Sequence, residues 1–373
     1  MNKKEINEIK KIYTPANCTL TRIASCYVDA EKNKRAELKE AFLSLPEDEA
    51  FKYFNIFRGA LSGGIAKNLI NLELPKKWRL DPPDELLLDL RDSRLNDDKL
   101  IEDFYDRVIE NYDYGENYYI VLVHGFYDIP GKSSDGMTMY DASDFVYEFI
   151  QCAICPVKLT KGALSYNTDK NAVEARKRDW IVEAPDTGFL YPAFNDRQTD
   201  IYSTLFYNKN PKYDLEKLIV NVLGATAPMI ATDEKGVFNN IAEEVLAENC
   251  TFKNVRGIYD SIVEKVEESE DGIVKLDLYQ IKQLMEDNGG NQEKLSELEA
   301  LDYKSFYELS ATNVVNTKCF EVKTEGLEIK IKPDFTQRVE CRMIDGRPCV
   351  VMAVSDHLEV NGITVRPVEV CHE

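Results

Sequence analysis

Polar groups crowd into one six-residue stretch, "NDRQTD" at 195–200, set between the aromatic runs "GFLYPAF" (188–194) and "IYSTLFY" (201–207). Asp196 and Asp200 are carboxylates of the kind that hold Mg²⁺, Asn195 is a neutral amide, and Arg197 is a guanidinium suited to an anion. The competing reading is a hairpin turn, because Asn and Asp favour turns. Phe189, Tyr191 and Ala193 sit two apart, and Ile201, Leu205 and Tyr207 repeat that parity, with Ser203 as the exception. The spacing predicts two strands joined at the polar cluster, which then falls at a sheet end.

Acid–base chemistry is limited by the histidines, of which there are 3: His124, His357 and His372. His372 is next to the last residue, and His357 lies between Asp356 and a turn-like "LEVNGI". Only His124, expected at the end of the strand "YYIVLV" (118–123) and beside Asp128, is placed to act as a base. No G-x-S-x-G elbow is present, which argues against a serine hydrolase. The enzyme reading that survives is a metal-assisted hydrolase of a phosphate-containing substrate, with Asp128, Asp196 and Asp200 as carboxylates and His124 as base.

Two further motifs fail their spacing tests. "HGFYDIPGKSSDG" (124–136) resembles a phosphate-binding loop, but five residues separate Gly125 from Gly131 where the loop needs four. Turn formers follow Lys132 where a helix should begin. The stretch reads as a strand running into a Pro-Gly turn, with Lys132 exposed and retained as a candidate anion contact. "CAIC" (152–155) is a single Cys-x-x-Cys inside an apolar run. Zinc sites usually need a second such pair, so core packing is expected, with no metal and no cofactor.

These motifs sit on a 373-residue chain of formal net charge −20, which argues against non-specific binding to a nucleic-acid backbone while leaving room for a local basic patch. Its 9 cysteines are scattered and odd in number, which predicts free thiols in a cytoplasmic protein. No secretory leader is expected, and no run reaches the roughly 20 apolar residues of a membrane helix.

The elements divide into four regions. Residues 1–113 read mostly as helix, including 45–64 and a helix over 96–112 with Asn96 as N-cap. Residues 114–211 hold short aromatic and β-branched runs ("FVYEFIQCAICPVKL", "WIVEA") and no good helix between 118 and 208, so a mostly antiparallel sheet is expected. Residues 212–310 return to helix, on faces such as Leu215, Leu218, Ile219 and Val222, then Val255, Ile258, Tyr259, Ile262, Val263 and Val266, then Ile281, Leu284 and Met285. Within 232–308 there are 19 Asp and Glu against 8 Lys and Arg, a solvated face or a dock for a basic partner. Residues 311–373 alternate with period two, and Asp345-Gly346 and Asn361-Gly362 signal hairpins, making a small β module.

The segments "EIKKIYTPANCTLTRIASCYVD", "DIPGK", "AICPVKL", "FLYPAFNDRQTDI" and "HLEVNGI", in this order, resemble the bacterial family named domain of unknown function 4317. The resemblance spans nearly the whole chain and implies a bacterial protein. It brings no catalytic residues with it. The expected class is therefore α+β: helical N-terminal region, central mostly antiparallel sheet, acidic helical region and small C-terminal β module. The leading functional expectation is a non-enzymatic interaction or regulatory protein that binds a macromolecular partner, such as a basic protein or a ribonucleoprotein surface. The hydrolase is the alternative, and a translation-associated factor is a weaker one.

Overall fold

The computed structural model describes all residues except 76–84, 133–137, 140–144, 270–272, 300–307, 355–357 and 367–373. Its centre is strand β7 (Val146–Leu159), the longest of the described strands. β7 pairs antiparallel with β4 (Tyr118–Asp128) over eleven residue pairs, from Tyr118↔Pro156 to Asp128↔Val146. Around them lies an eight-stranded sheet, in the order β2 (Lys34–Ala41), β1 (Leu20–Val28), β4, β7, β11 (Thr187–Tyr191), β14 (Ser203–Asn208), β3 (Leu69–Glu73), with β10 (Trp180–Val182) joined to β7 alone. Every pairing between these strands is antiparallel.

Both faces of the central strands are buried, which is why they read as mostly apolar runs. On one face, α3 (Leu86–Asp92), α4 (Asp98–Asn111) and α5 (Glu216–Asn221) pack against Ile120, Leu122, Ile150, Cys152, Ile154 and Phe189. On the other, α1 (Lys3–Lys10) and α2 (Glu47–Gly59) pack against Val121, Val123, Phe149, Ala153, Cys155 and Leu205. α1 starts in a capping box, with Asn2 accepting from the Glu5 amide and Glu5 accepting from the Asn2 amide. The N-cap of α4 is Asp97, one residue later than expected at Asn96.

The class is α+β, as expected, but the first 113 residues are not mostly helical. β1, β2 and β3 belong to the central sheet. β2, "KRAELKEA", is rich in helix formers and charge; it is an edge strand, where charged side chains discourage pairing with another chain. α5 likewise packs on the sheet.

The chain forms two compact units, residues 1–230 and 231–373. The second holds α6 (Ala231–Leu246), α7 (Phe252–Glu268), α8 (Leu278–Asp287) and α9 (Gln292–Glu299). Ile258, Tyr259, Ile262 and Val263 are buried as the helical spacing predicts, whereas Val255 is exposed. Most acidic side chains face solvent; Glu234 is buried, accepting from the Ser310 amide at 2.9 Å and from Asn313 Nδ2 at 3.0 Å. The C-terminal alternation is a set of hairpins: β17 (Phe320–Thr324) with β18 (Leu327–Ile331), β19 (Val339–Ile344) with β20 (Arg347–Met352), and β21 (Leu358–Val360) with β22 (Ile363–Val365). Asp345-Gly346 and Asn361-Gly362 all have positive φ, the geometry expected of two-residue hairpin turns. Among the described residues no helix is long and apolar enough to cross a membrane.

Gly188 lies opposite Ala153 where β11 pairs with β7, and a Cβ built there would lie 2.3 Å from the Cys152 carbonyl oxygen. Gly188→Ala is expected to lower the unfolding free energy by about 3 kcal/mol, read as a shifted urea midpoint, because backbone rather than a flexible side chain must yield.

Candidate functional site

The "NDRQTD" stretch is a hairpin of its own inside the β11–β14 connection. β12 (Ala193–Asn195) pairs with β13 (Gln198–Asp200), and Asp196 and Arg197 form the turn at φ of 50° and 57°. The parity expected through Ala193 breaks after Tyr191: Phe189 and Tyr191 face α4, whereas Ala193, Leu205 and Tyr207 join the core on the α1–α2 side. The polar side chains are tied to helix α1. Arg197 donates from its guanidinium to Glu8 Oε1 at 2.9 Å and from its amide to Glu5 Oε1 at 3.3 Å. Tyr127 donates to the same Glu8 oxygen at 2.6 Å. Asp200 accepts from Asn195 Nδ2 at 2.8 Å, Ser203 Oγ at 2.8 Å and the Tyr202 amide at 3.1 Å. The Met1 ammonium donates to Asn71 Oδ1 at 2.7 Å and Asn195 Oδ1 at 2.5 Å; burial lowers its pKa, against the pull of Glu5, Asp196 and Asp200.

His124 is not at a strand end, because β4 continues to Asp128. Its side chain is buried, with Nδ1 2.6 Å from Thr21 Oγ1 and Nε2 3.1 Å from Glu148 Oε1. Arg94 completes the row, donating to Glu148 Oε1 at 3.1 Å with its guanidinium over the Phe126 ring. Its neighbour is thus Glu148 from β7, and Asp128 lies exposed four residues further along β4. Burial holds the imidazole below its ordinary pKa, with Glu148 opposing and Arg94 and Arg91 reinforcing. His357 and His372 lie outside the described residues.

Lys132 lies in β5 (Gly131–Lys132), which pairs with β6 (Thr138–Met139); its side chain and residues 133–137 are outside the description. Cys152 and Cys155 are three apart on β7 and so point to opposite faces, one into each core layer. Burial raises both thiols, Cys152 well above the ordinary value. Among the described residues, no group of three or more His, Cys, Asp and Glu has the geometry to hold a metal ion.

A cleft of about 940 Å³ opens elsewhere, between α2 and the end of the sheet where β10 lies. Tyr27 from β1, Tyr53 from α2, Tyr119 from β4 and Trp180 from β10 are its aromatic lining. The Tyr53 and Tyr119 hydroxyls are 2.8 Å apart, and burial raises both phenols, so they are neutral hydrogen-bonding groups at physiological pH. Trp180, Ile181 and Val182 line it as consecutive apolar residues that are 55%, 46% and 39% exposed. Among the described strands β10 pairs only with β7, so its other edge is open. The arrangement of apolar walls and neutral hydroxyls can bind an apolar or aromatic group. "WIVEA" is a strand as expected, and its place at an edge has no signal in the sequence.

An α+β chain built on one antiparallel sheet, with an aromatic cleft at the sheet's end, is the class of protein this is. The model of the family described as domain of unknown function DUF4317 matches residues 1–363, and the chain belongs to that family. No curated protein matches the chain.

Two outcomes follow from this geometry. Asp200→Asn replaces an acceptor of three hydrogen bonds by an amide that faces the Asn195 NH₂ group, so it is expected to lower stability by about 1–2 kcal/mol in chemical denaturation; unchanged stability combined with altered Mg²⁺ binding would instead mark a metal ligand. For His124, the folded pKa lies below the unfolded value of about 6.5, so its contribution is fully present above the unfolded value and is lost as pH falls through the folded one. Stability should decline as pH is lowered from about 6.5, and His124→Gln should flatten that slope.

Proposed function

We infer that the protein is a non-enzymatic interaction protein that binds a macromolecular partner, with the β10 edge and its cleft as the docking surface. The observation that carries this is the run Trp180-Ile181-Val182, exposed on an open strand edge above an aromatic cleft. An extended segment can add to such an edge through main-chain hydrogen bonds while alternate side chains enter the cleft. The strand is short, so affinity would come mainly from the Tyr and Trp walls, which present large area at little entropic cost. Free thiols at all eight described cysteines support a cytoplasmic setting.

An array of ten-residue synthetic peptides provides the test. Peptides alternating apolar and polar residues should bind, protect the amides of 180–182 from hydrogen exchange, and lose affinity at least tenfold against Ile181→Gln. If no peptide on the array protects those amides, the docking reading fails.

A further inference from the structure

Beyond β10 the chain builds an arm. β7 runs on past its last pairing with β4 and is joined by β10 through Val157↔Val182, Lys158↔Ile181 and Leu159↔Trp180. The two limbs continue through Thr160 N–H to the Asp179 carbonyl at 2.9 Å and Arg176 N–H to the Ala163 carbonyl at 2.8 Å. They close in a hairpin of β8 (Leu164–Asn167) and β9 (Ala172–Ala175). Asn167 Oδ1 holds the tip by accepting from the amides of Asp169 and Lys170 at 3.0 and 3.3 Å.

The arm inverts the charge of the protein. Residues 157–182 hold 6 Lys and Arg against 3 Asp and Glu, a net +3 within a chain of net −20. Lys158 pairs with Glu183 and Lys170 with Glu174. Lys161, Arg176, Lys177 and Arg178 are exposed and make no ion pair among the described residues. Arg178 also donates to the Thr160 carbonyl at 2.9 Å, which fixes its stem on the opposite limb. Exposed aromatics lie on both sides of these cations along the arm. Tyr166, 59% exposed, sits toward the tip opposite Val173, and Trp180 sits at the base.

We propose that this arm binds single-stranded or looped RNA. The four unpaired cations take phosphates, with the Arg176 and Arg178 forks suited to two oxygens each, and Tyr166 stacks on a base. An acidic protein segment would satisfy the cations but offers the exposed rings no flat partner, which is why RNA fits better. The surrounding negative charge does not abolish the site, because fields are screened within about 8 Å at physiological ionic strength. The proposal extends the docking reading above but uses different side chains, since none of Lys161, Tyr166, Arg176, Lys177 and Arg178 lines the cleft.

The test is fluorescence anisotropy of a labelled 20-nucleotide RNA, single-stranded or with a loop, against the full chain. Binding is expected with a slope of log affinity against log salt of about −3, from four phosphate contacts on a single strand. Lys161→Glu with Lys177→Glu should weaken binding more than tenfold and make the slope shallower by about 1.4. Tyr166→Ala should weaken it about tenfold and leave the slope unchanged. Circular dichroism and the urea midpoint check that each variant is folded. Ile181→Gln, which tests the cleft, should leave RNA affinity within twofold, so either reading can fail without the other. The proposal is overturned by absence of RNA binding at low salt, by RNA binding indifferent to the Glu substitutions, or by tighter binding of polyglutamate than of RNA.

Discussion

The unit of residues 1–230 depends on β7 being buried on both faces along most of its length. A strand in that position must satisfy every polar group it carries. Gln151 is the demanding case: it sits at the centre of β7 with no exposure, its amide donates to the Phe57 carbonyl at 2.8 Å, and its oxygen accepts from the Tyr13 hydroxyl. Those bonds tie the sheet to the end of α2 and to the segment after α1. Left unpaired, such groups would each cost about 1–3 kcal/mol, so they select one way of laying α1 and α2 on the sheet. The placement of α2 then forms one wall of the cleft, and that of α1 brings Glu5 and Glu8 to the 195–200 hairpin.

The central strands were legible because burial on two faces leaves a plain apolar signature. The C-terminal hairpins were legible because Asp-Gly and Asn-Gly encode their turns locally. β2 was not, since Lys34, Arg35, Glu37, Lys39 and Glu40 have the composition of a solvated helix. Only pairing with β1, from Arg22↔Ala41 to Val28↔Lys34, makes that segment a strand, and pairing is not written in local propensity. β1 itself, "LTRIASCYV", carries Ser25 and Cys26 among its apolar residues, and its burial is decided by β4 on its other side.

The candidate site divides in the same way. The turn at "NDRQTD" is a local property and was readable; that Arg197 meets Glu8 and that Asp200 gathers Asn195 and Ser203 is tertiary. His124 looked terminal because the apolar run stops at Val123, yet Gly125, Phe126 and Tyr127 continue the strand beside β7. The residue that faces His124 is set by register, which brings Glu148 of β7 alongside. The cleft was invisible for a related reason: its four aromatic residues come from four different elements, each unremarkable alone.

Average charge concealed the arm. A net of −20 describes the far field, and it argues correctly against indiscriminate binding to polyanions. Close to the surface the relevant sum runs over a screening length. Within 157–182 that sum is positive, 6 Lys and Arg against 3 Asp and Glu, and Lys161, Arg176, Lys177 and Arg178 are exposed. An acidic body carrying a short basic arm has an orientational consequence. A polyanion is repelled by the net negative charge and attracted at the arm, so encounters that bring the arm in first are favoured. Because the arm grows directly from β7 and β10, whatever it holds is presented beside the Trp180 wall of the cleft. The rigidity of the central strand is thereby converted into a fixed relation between the two surfaces, which a flexible basic tail would not give.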